Sequence, residues 1–547
     1  MSKENKVEVV TSNLESTSND DLEYGIDVDA SKRAELQRGL KPRHIQLIAI
    51  GGVIGTGLFV GSGAALSTCG PAALLTSYLI MSVVIYGVML YLAEMATYLP
   101  LKGSSISTFA TRYVDKSLGF AMGWNYWYSY NMLVPTEITA AGIVVKYWTD
   151  KVPVGVWITI FWLVIVGLNC LAVKYYGEAE FWFASLKIFC ILGLIVTGIV
   201  IFFGGAPTHD RLGFRYWNEP GSFAQHLASG NTAKFLDVWT SIIKSAFAFI
   251  QGPELVALAA GEAKKPRQNI PFAARTFVYR VIFFYVLGAL VIGVIVPYTN
   301  PNLLSGSGNG ASSPFVIGIK NAGIKVLDHI VNAVILTSAW SSGNSYLYAS
   351  TRSLLGLARE GYAPKFLDKT NKYGVPITII PCAAFSLLAY LNVSNSSAEA
   401  FNWFSNICTI SGLIGWVCLG ISYLRFRKAC SVQGIYETLP YKAPFQPYLT
   451  WFVIVFVTIV CITNGYAVFF DFNGSDFVAA YITLPLFFGL YFGHKIYMKV
   501  VHGYTRWYYP AEEIDLITGL AEVEAEDAAE PERIPKNFAE KVWFWMG

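Results

Sequence analysis

Three ionisable residues, Glu137, Lys187 and Glu254, stand inside long apolar stretches. A charge at the centre of a membrane-spanning helix costs about 2.5 to 3.5 kcal/mol on insertion scales, so such residues face the interior of a helix bundle and act there. Glu254 ends the run Phe247-Ala248-Phe249-Ile250-Gln251-Gly252-Pro253-Glu254. Its proline removes an amide donor and clashes with the preceding turn, and the glycine beside it tolerates the irregular backbone that follows. A second interruption lies upstream in Ile50-Gly51-Gly52-Val53-Ile54-Gly55-Thr56-Gly57-Leu58-Phe59. Glycines at that density weaken a helix where lipid most demands one. Free amides after Gly55-Thr56-Gly57 suit a carboxylate, as at any helix start. Free carbonyls around Ala248 and Gln251 suit an ammonium. An anion cradle beside a cation cradle describes an amino-acid zwitterion.

Glu137, which follows Pro135, and Glu254 are each able to take up a proton. Lys187 has two readings: it snorkels to the nearer membrane surface, or it alternates between charged and neutral and replaces a sodium ion. Glu94, Arg112, Lys174 and Glu178 lie near helix ends and read as interfacial charges.

The elements that must position these groups are spanning helices. Of the 547 residues, 54% are hydrophobic and 14% charged, too apolar for a soluble globular chain. A net charge of +3 gives no argument for nucleic acid. Stretches of about 20 apolar residues recur about twelve times, near 45–66, 72–98, 118–146, 153–172, 181–204, 236–261, 276–297, 328–358, 376–394, 401–424, 448–469 and 475–498. The two broken segments are the first and sixth, the spacing of an inverted repeat with its site between the halves. The eight cysteines show no CxxC or metal-ligand spacing, so neither disulfide nor metal is expected.

A cytoplasmic N-terminus puts Lys264, Lys265, Arg267, Arg275, Arg425, Arg427 and Lys428 inside, as the positive-inside rule prefers. The sequons at Asn392, Asn395 and Asn473 then fall outside, and an even helix count returns the C-terminus to the cytoplasm. Residues 1–40 read as a disordered tail without a signal peptide, 41–500 as the helical core and 501–547 as a second tail. The aromatic end Val542-Trp543-Phe544-Trp545-Met546 either lies at the membrane surface or docks beneath the bundle.

The set formed by Arg43-His44-Ile45-Gln46, the glycine run, Gly177-Glu178-Ala179-Glu180-Phe181-Trp182, Gly252-Pro253-Glu254 and Ala349-Ser350-Thr351-Arg352 resembles the fungal amino-acid permeases of the amino acid–polyamine–organocation superfamily. The resemblance covers about 40–510. It is strongest to the proline-carrying branch, through stretches such as Gly119-Phe120-Ala121-Met122-Gly123-Trp124-Asn125-Tyr126 and Phe401-Asn402-Trp403-Phe404-Ser405-Asn406. It implies an all-α membrane protein with a LeuT-like 5+5 inverted repeat, broken in helices 1 and 6. It also implies proton-driven import of proline or another small neutral amino acid at the plasma membrane, with no cofactor.

Roles follow from the same resemblance. Gly55, Thr56 and Gly57 would hold the substrate carboxylate, and the backbone from Ala248 to Gln251 its amino group. Phe249 would close over the substrate, with Tyr346 a further gate candidate. Lys187 would occupy the sodium position of sodium-coupled relatives, and Glu137 and Glu254 match acidic positions that serve structure or proton coupling. Ser129 and Cys408 match positions that tune specificity. Cys408 departs from the small hydroxyl residue expected in a proline carrier. Tail lysines Lys3, Lys6 and Lys32 resemble ubiquitination targets. An amino-acid-sensing receptor and a broader permease for neutral amino acids and 4-aminobutyrate are the alternatives. Six scattered histidines, with no nucleophile elbow or P-loop, argue against an enzyme.

Overall fold

Each of the twelve apolar segments carries helix, and no strand forms among the described residues. The computed structural model describes residues 55–529 except 101–104, 150, 172, 251, 255–256, 258–265, 304–312, 372–374 and 394–396. Lys3, Lys6, Lys32, the start of the glycine run, Gln251, Asn395 and the aromatic C-terminal end therefore lie outside the described residues.

The first segment enters through a π-helical turn, Gly57–Gly61, that continues as Ser62–Cys69. The second, Pro71–Tyr98, starts with proline at its first position, where the missing amide costs nothing. The third, Lys116–Val145, is capped by Asp115, whose carboxylate accepts from the Leu118 amide at 2.9 Å. Val154–Asn169 and Val173–Phe202 form the fourth and fifth. The sixth runs over Gly230–Ala246 and then tightens, the amides of Ala248 and Phe249 bonding back three residues to Ser245 and Ala246. The seventh is helical from Pro266 to Ile295, with a π turn at Ile282–Val286.

The eighth, Leu327–Arg359, is followed by a ninth that passes from Ile379–Ser386 into a 3-10 stretch, Leu387–Val393. Ser397–Val432 is the tenth and Tyr448–Thr463 the eleventh. Gly474–Tyr481 and Thr483–His502 make a twelfth segment bent by 43°.

Among the described residues five helices are long and apolar enough to cross a membrane, and the bent pair makes six. The third and eighth are absent from that set although they have 30 and 33 residues, about 45–50 Å at helical rise. Their polar side chains lower their hydropathy because these helices are interior. The third packs most extensively against the eighth and tenth. Lipid-facing positions fall elsewhere, for example at Leu163, Phe189, Val196, Val455 and Ile462, which are exposed.

One end of the bundle, here the basic end, collects Arg112, Arg359 and Arg425. Gly503, at φ 65°, ends the twelfth segment in the left-handed conformation. The chain then returns across the basic end. Tyr509 donates its amide to the Val114 carbonyl at 2.9 Å, and Gln433 donates to the carbonyls of Ala511 and Ile514 at 2.9 and 2.8 Å. The Tyr98 hydroxyl reaches Leu516 O at 2.9 Å, and Arg112 pairs with Asp515 at 2.9 Å. This part of the C-terminal tail docks beneath the bundle.

Glu94 corrects an expectation. It is not interfacial but buried, accepting from the Ala443 amide at 2.7 Å and the Tyr423 hydroxyl at 3.1 Å, with Arg427 at 3.8 Å.

Candidate functional site

The two helix breaks meet. A Cβ built on Gly57 would lie 2.6 Å from Ala248 Cα, so only glycine lets the first segment approach the sixth this closely. The π turn Gly57–Gly61 begins at this contact. Thr56 is fully buried, and its hydroxyl faces the Glu137 carboxylate. These are the positions the sequence assigns to the carboxylate cradle. Of the matching amino-group cradle, Ala248 sits against Gly57, and Gln251 is outside the described residues.

Around this contact stand the specificity candidates. Cys408 is fully buried, its Sγ 3.8 Å from Thr136 Oγ1 and 4.0 Å from the carbonyl of buried Ser129. Tyr346 is buried on the eighth helix within electrostatic reach of both Glu137 and Cys408. Phe249 is fully buried, edge-on to Tyr78 at 5.3 Å and tilted over Tyr285 at 4.9 Å. The π turn of the seventh segment contains Tyr285, so a local helix defect helps to build this cage, as π turns often do at functional sites.

Gly55 joins the cradle to the buried charges. Its Cβ position lies 3.6 Å from both Glu137 Oε1 and Ser342 Oγ. Lys187 Nζ donates to the same Ser342 Oγ at 3.3 Å, and the Glu137 carboxylate acts electrostatically on Lys187. Lys187 is buried, with 1% exposure. Snorkelling to the surface is thereby excluded. Glu254 occupies a separate polar cluster, where the Tyr126 hydroxyl donates to its Oε1 at 3.1 Å. Among the described residues no group of histidine, cysteine, aspartate and glutamate is arranged to hold a metal ion.

The amino acid permease family matches residues 44–501. A proline-specific permease of Saccharomyces cerevisiae is 55% identical over 536 residues, spanning 95% of this chain and 85% of that relative. A proline-specific permease of Emericella nidulans is 50% identical over 517 residues, 93% of each chain. The chain belongs to the amino acid permease family. It is a multi-pass membrane transporter and not an enzyme. In fold it is similar to a manganese transporter of Eremococcus coleocola, with TM-score 0.53 and 13% identity over 85% of this chain and 94% of the other. The all-helical, LeuT-like architecture that the family resemblance implied is the one found.

The permease brings Gly55, Thr56, Gly57, Ala248, Glu137, Lys187, Tyr346, Ser129 and Cys408 into one buried region, with Phe249 on its aromatic flank. Glu254 belongs to another cluster. Sequence reasoning passed over Ser341, Ser342 and Tyr126, which contact Glu180, Lys187 and Glu254. One signal was available: the run Ser338-Ala339-Trp340-Ser341-Ser342-Gly343-Asn344-Ser345 is too polar for a helix facing lipid.

Proposed function

We propose that this permease imports proline, and other small neutral amino acids, across the plasma membrane together with a proton. The observation that carries this reading is the position of Gly55 between Glu137 and Ser342, with Lys187 bonded to Ser342. The carboxylate cradle and the titratable pair share one stretch of backbone. Substrate binding that reshapes residues 55–57 therefore alters the surroundings of Lys187, and a protonated Lys187 in turn holds that stretch in place. Proline, named for the two fungal relatives, suits a cradle of backbone dipoles walled by Phe249, Tyr346 and Cys408.

Both termini are assigned to the cytoplasm, which makes the basic end the inner one. Substrate and proton enter from the opposite end, the first and sixth helices close, and both leave inward by alternating access. One proton with one zwitterion moves a single positive charge, worth about 2.3 kcal/mol per 100 mV. At about 1.4 kcal/mol per tenfold ratio, this supports more than a decade of accumulation before any pH difference is added. Ubiquitin attachment at Lys3, Lys6 or Lys32 would govern how long the carrier stays at the surface.

The test is uptake of radiolabelled proline in yeast lacking its own proline carriers, at external pH of about 4.5 and about 7.5, with and without a protonophore. Concentrative uptake that is faster in acid and abolished by the protonophore is the expected result. Absent uptake from a carrier shown to be at the surface would reject proline as substrate. Lys187→Ala separates the coupling role, because a variant that still accumulates substrate along a pH gradient removes Lys187 from the mechanism.

A further inference from the structure

Lys187 has two carboxylates, not one. Glu180 lies seven residues before it on the fifth helix, two turns and about 10.5 Å toward the basic end. Helical side chains lean toward the N-terminus of their helix, so Lys187 leans back toward Glu180. Both Glu180 and Glu137 lie within electrostatic reach of the Lys187 side chain. Adjacent residues of the eighth helix tie the two together: Ser342 Oγ accepts from Lys187 Nζ at 3.3 Å, and Ser341 Oγ donates to Glu180 Oε2 at 2.9 Å.

Glu180 is 1% exposed, yet among the described residues its Oε1 has no hydrogen-bond partner. An unsatisfied carboxylate oxygen in such a place is costly unless it has work to do. A polar tract leads onward from it. Asn344, one turn along the eighth helix from Ser341, accepts from Asn169 Nδ2 at 2.8 Å, and Asn169 is the last residue of the fourth helix, toward the basic end. The titratable groups acting on this region are Lys187 on the same helix, Glu137 on the third, and Tyr346 on the eighth.

We infer that Glu180 is the carboxylate that takes the coupled proton from Lys187 and hands it to the cytoplasmic side. This rests on the proton-coupled reading above. In the step an N–H bond of the Lys187 ammonium breaks and an O–H bond forms on Glu180 Oε1, leaving a neutral amine and a neutral acid. The acid then gives its proton to water admitted from the basic end, and the carboxylate is restored. Glu137, beside Gly55, faces the substrate side of the same ammonium. The lysine thus stands between an acid that reports substrate and an acid that discharges the proton.

Glu180→Gln keeps the size and hydrogen-bonding capacity of the side chain but cannot exchange a proton. In vesicles containing the full-length permease it is expected to lower pH-gradient-driven accumulation of labelled substrate about tenfold and to flatten the acid stimulation. Counterflow exchange of internal for external substrate, which needs no net proton release, should survive. Accumulation and pH profile like wild type would overturn the assignment. Loss of counterflow along with accumulation would do so too, because it would mark Glu180 as structural. If Glu180→Gln does not reach the membrane, Ser341→Ala decides by the same readout: about threefold lower accumulation with counterflow intact supports the role, and unchanged accumulation removes it. A wild type indifferent to the proton gradient would defeat the coupling reading itself, a result distinct from failure of Glu180 alone.

Discussion

The Tyr126 hydroxyl on the third helix donates to Glu254 Oε1 at 3.1 Å, and a Cβ on Gly415 of the tenth helix would lie 2.6 Å from that same hydroxyl. Three helices thus meet at the carboxylate that follows the break of the sixth. A hydrogen bond to a charged group is worth about 1.5–3 kcal/mol.

Tyr126→Phe removes that bond from the buried Glu254 carboxylate and leaves it the Trp416 indole as side-chain partner. The expected outcome is a fall in maximal uptake of about tenfold or more, with half-saturation little changed, because the contact lies apart from the Gly57 cradle. Initial-rate kinetics at equal surface expression check this. A changed half-saturation with an unchanged maximal rate would place Glu254 in substrate binding instead.

Gly57 and Ala248 give the sharpest steric prediction. With 2.6 Å between a new Cβ and Ala248 Cα, Gly57→Ala must push the first and sixth helices apart. Overpacking of this kind costs about 1–3 kcal/mol, so uptake should drop about tenfold or more. Gly167→Ala is the control, since none of the described residues lies within 4 Å of its Cβ position. Equal effects from the two substitutions would show that helix flexibility, not close approach, explains the glycine.

Much of this arrangement was legible because its signals are local. Gly55-Thr56-Gly57 and Gly252-Pro253-Glu254 announce broken helices through backbone chemistry, and Lys187 announces a polar interior through the cost of burying charge. What was not legible depends on contacts between distant residues. Glu94 sits close enough to a helix end to read as interfacial, and only its bond to Ala443, 349 residues away, makes it a buried anchor. The Phe249 cage needs Tyr78 and Tyr285 from two other helices. The π turn that carries Tyr285 leaves no mark in an unbroken apolar run.

Glu360, just past the eighth helix, predicts a pH dependence of stability. Burial pushes its carboxyl up from 4.5 to about 7, against the opposing pull of hydrogen bonds from the Thr108 hydroxyl and the Ser105 amide. Below its ordinary value the group is protonated in folded and unfolded chains alike. Between there and about 7 the unfolded chain has lost a proton that the folded one keeps, so this group's contribution to stability falls as pH rises and levels off above. Melting temperatures in detergent at pH of about 5 and about 8 should differ less for Glu360→Gln than for wild type. Parallel pH profiles for the two proteins would assign the dependence to other groups.

Cys408 is where substrate range is expected to yield. Its Sγ is 3.8 Å from Thr136 Oγ1 and 4.0 Å from Ser129 O, long contacts suited to a weak sulfur donor. Cys408→Ser keeps the volume but adds a strong donor and acceptor in a buried wall. That hydroxyl must either pull Thr136 or the Ser129 carbonyl inward or turn toward the substrate, and each outcome changes the space beside Tyr346. Competition for labelled proline uptake by alanine, glycine and 4-aminobutyrate measures the result. Discrimination among them should shift by about three- to tenfold, the effect of about 1 kcal/mol at one polar contact. An unchanged inhibition profile at normal surface expression would move the specificity wall away from Cys408, leaving Phe249 and Tyr346 to define it.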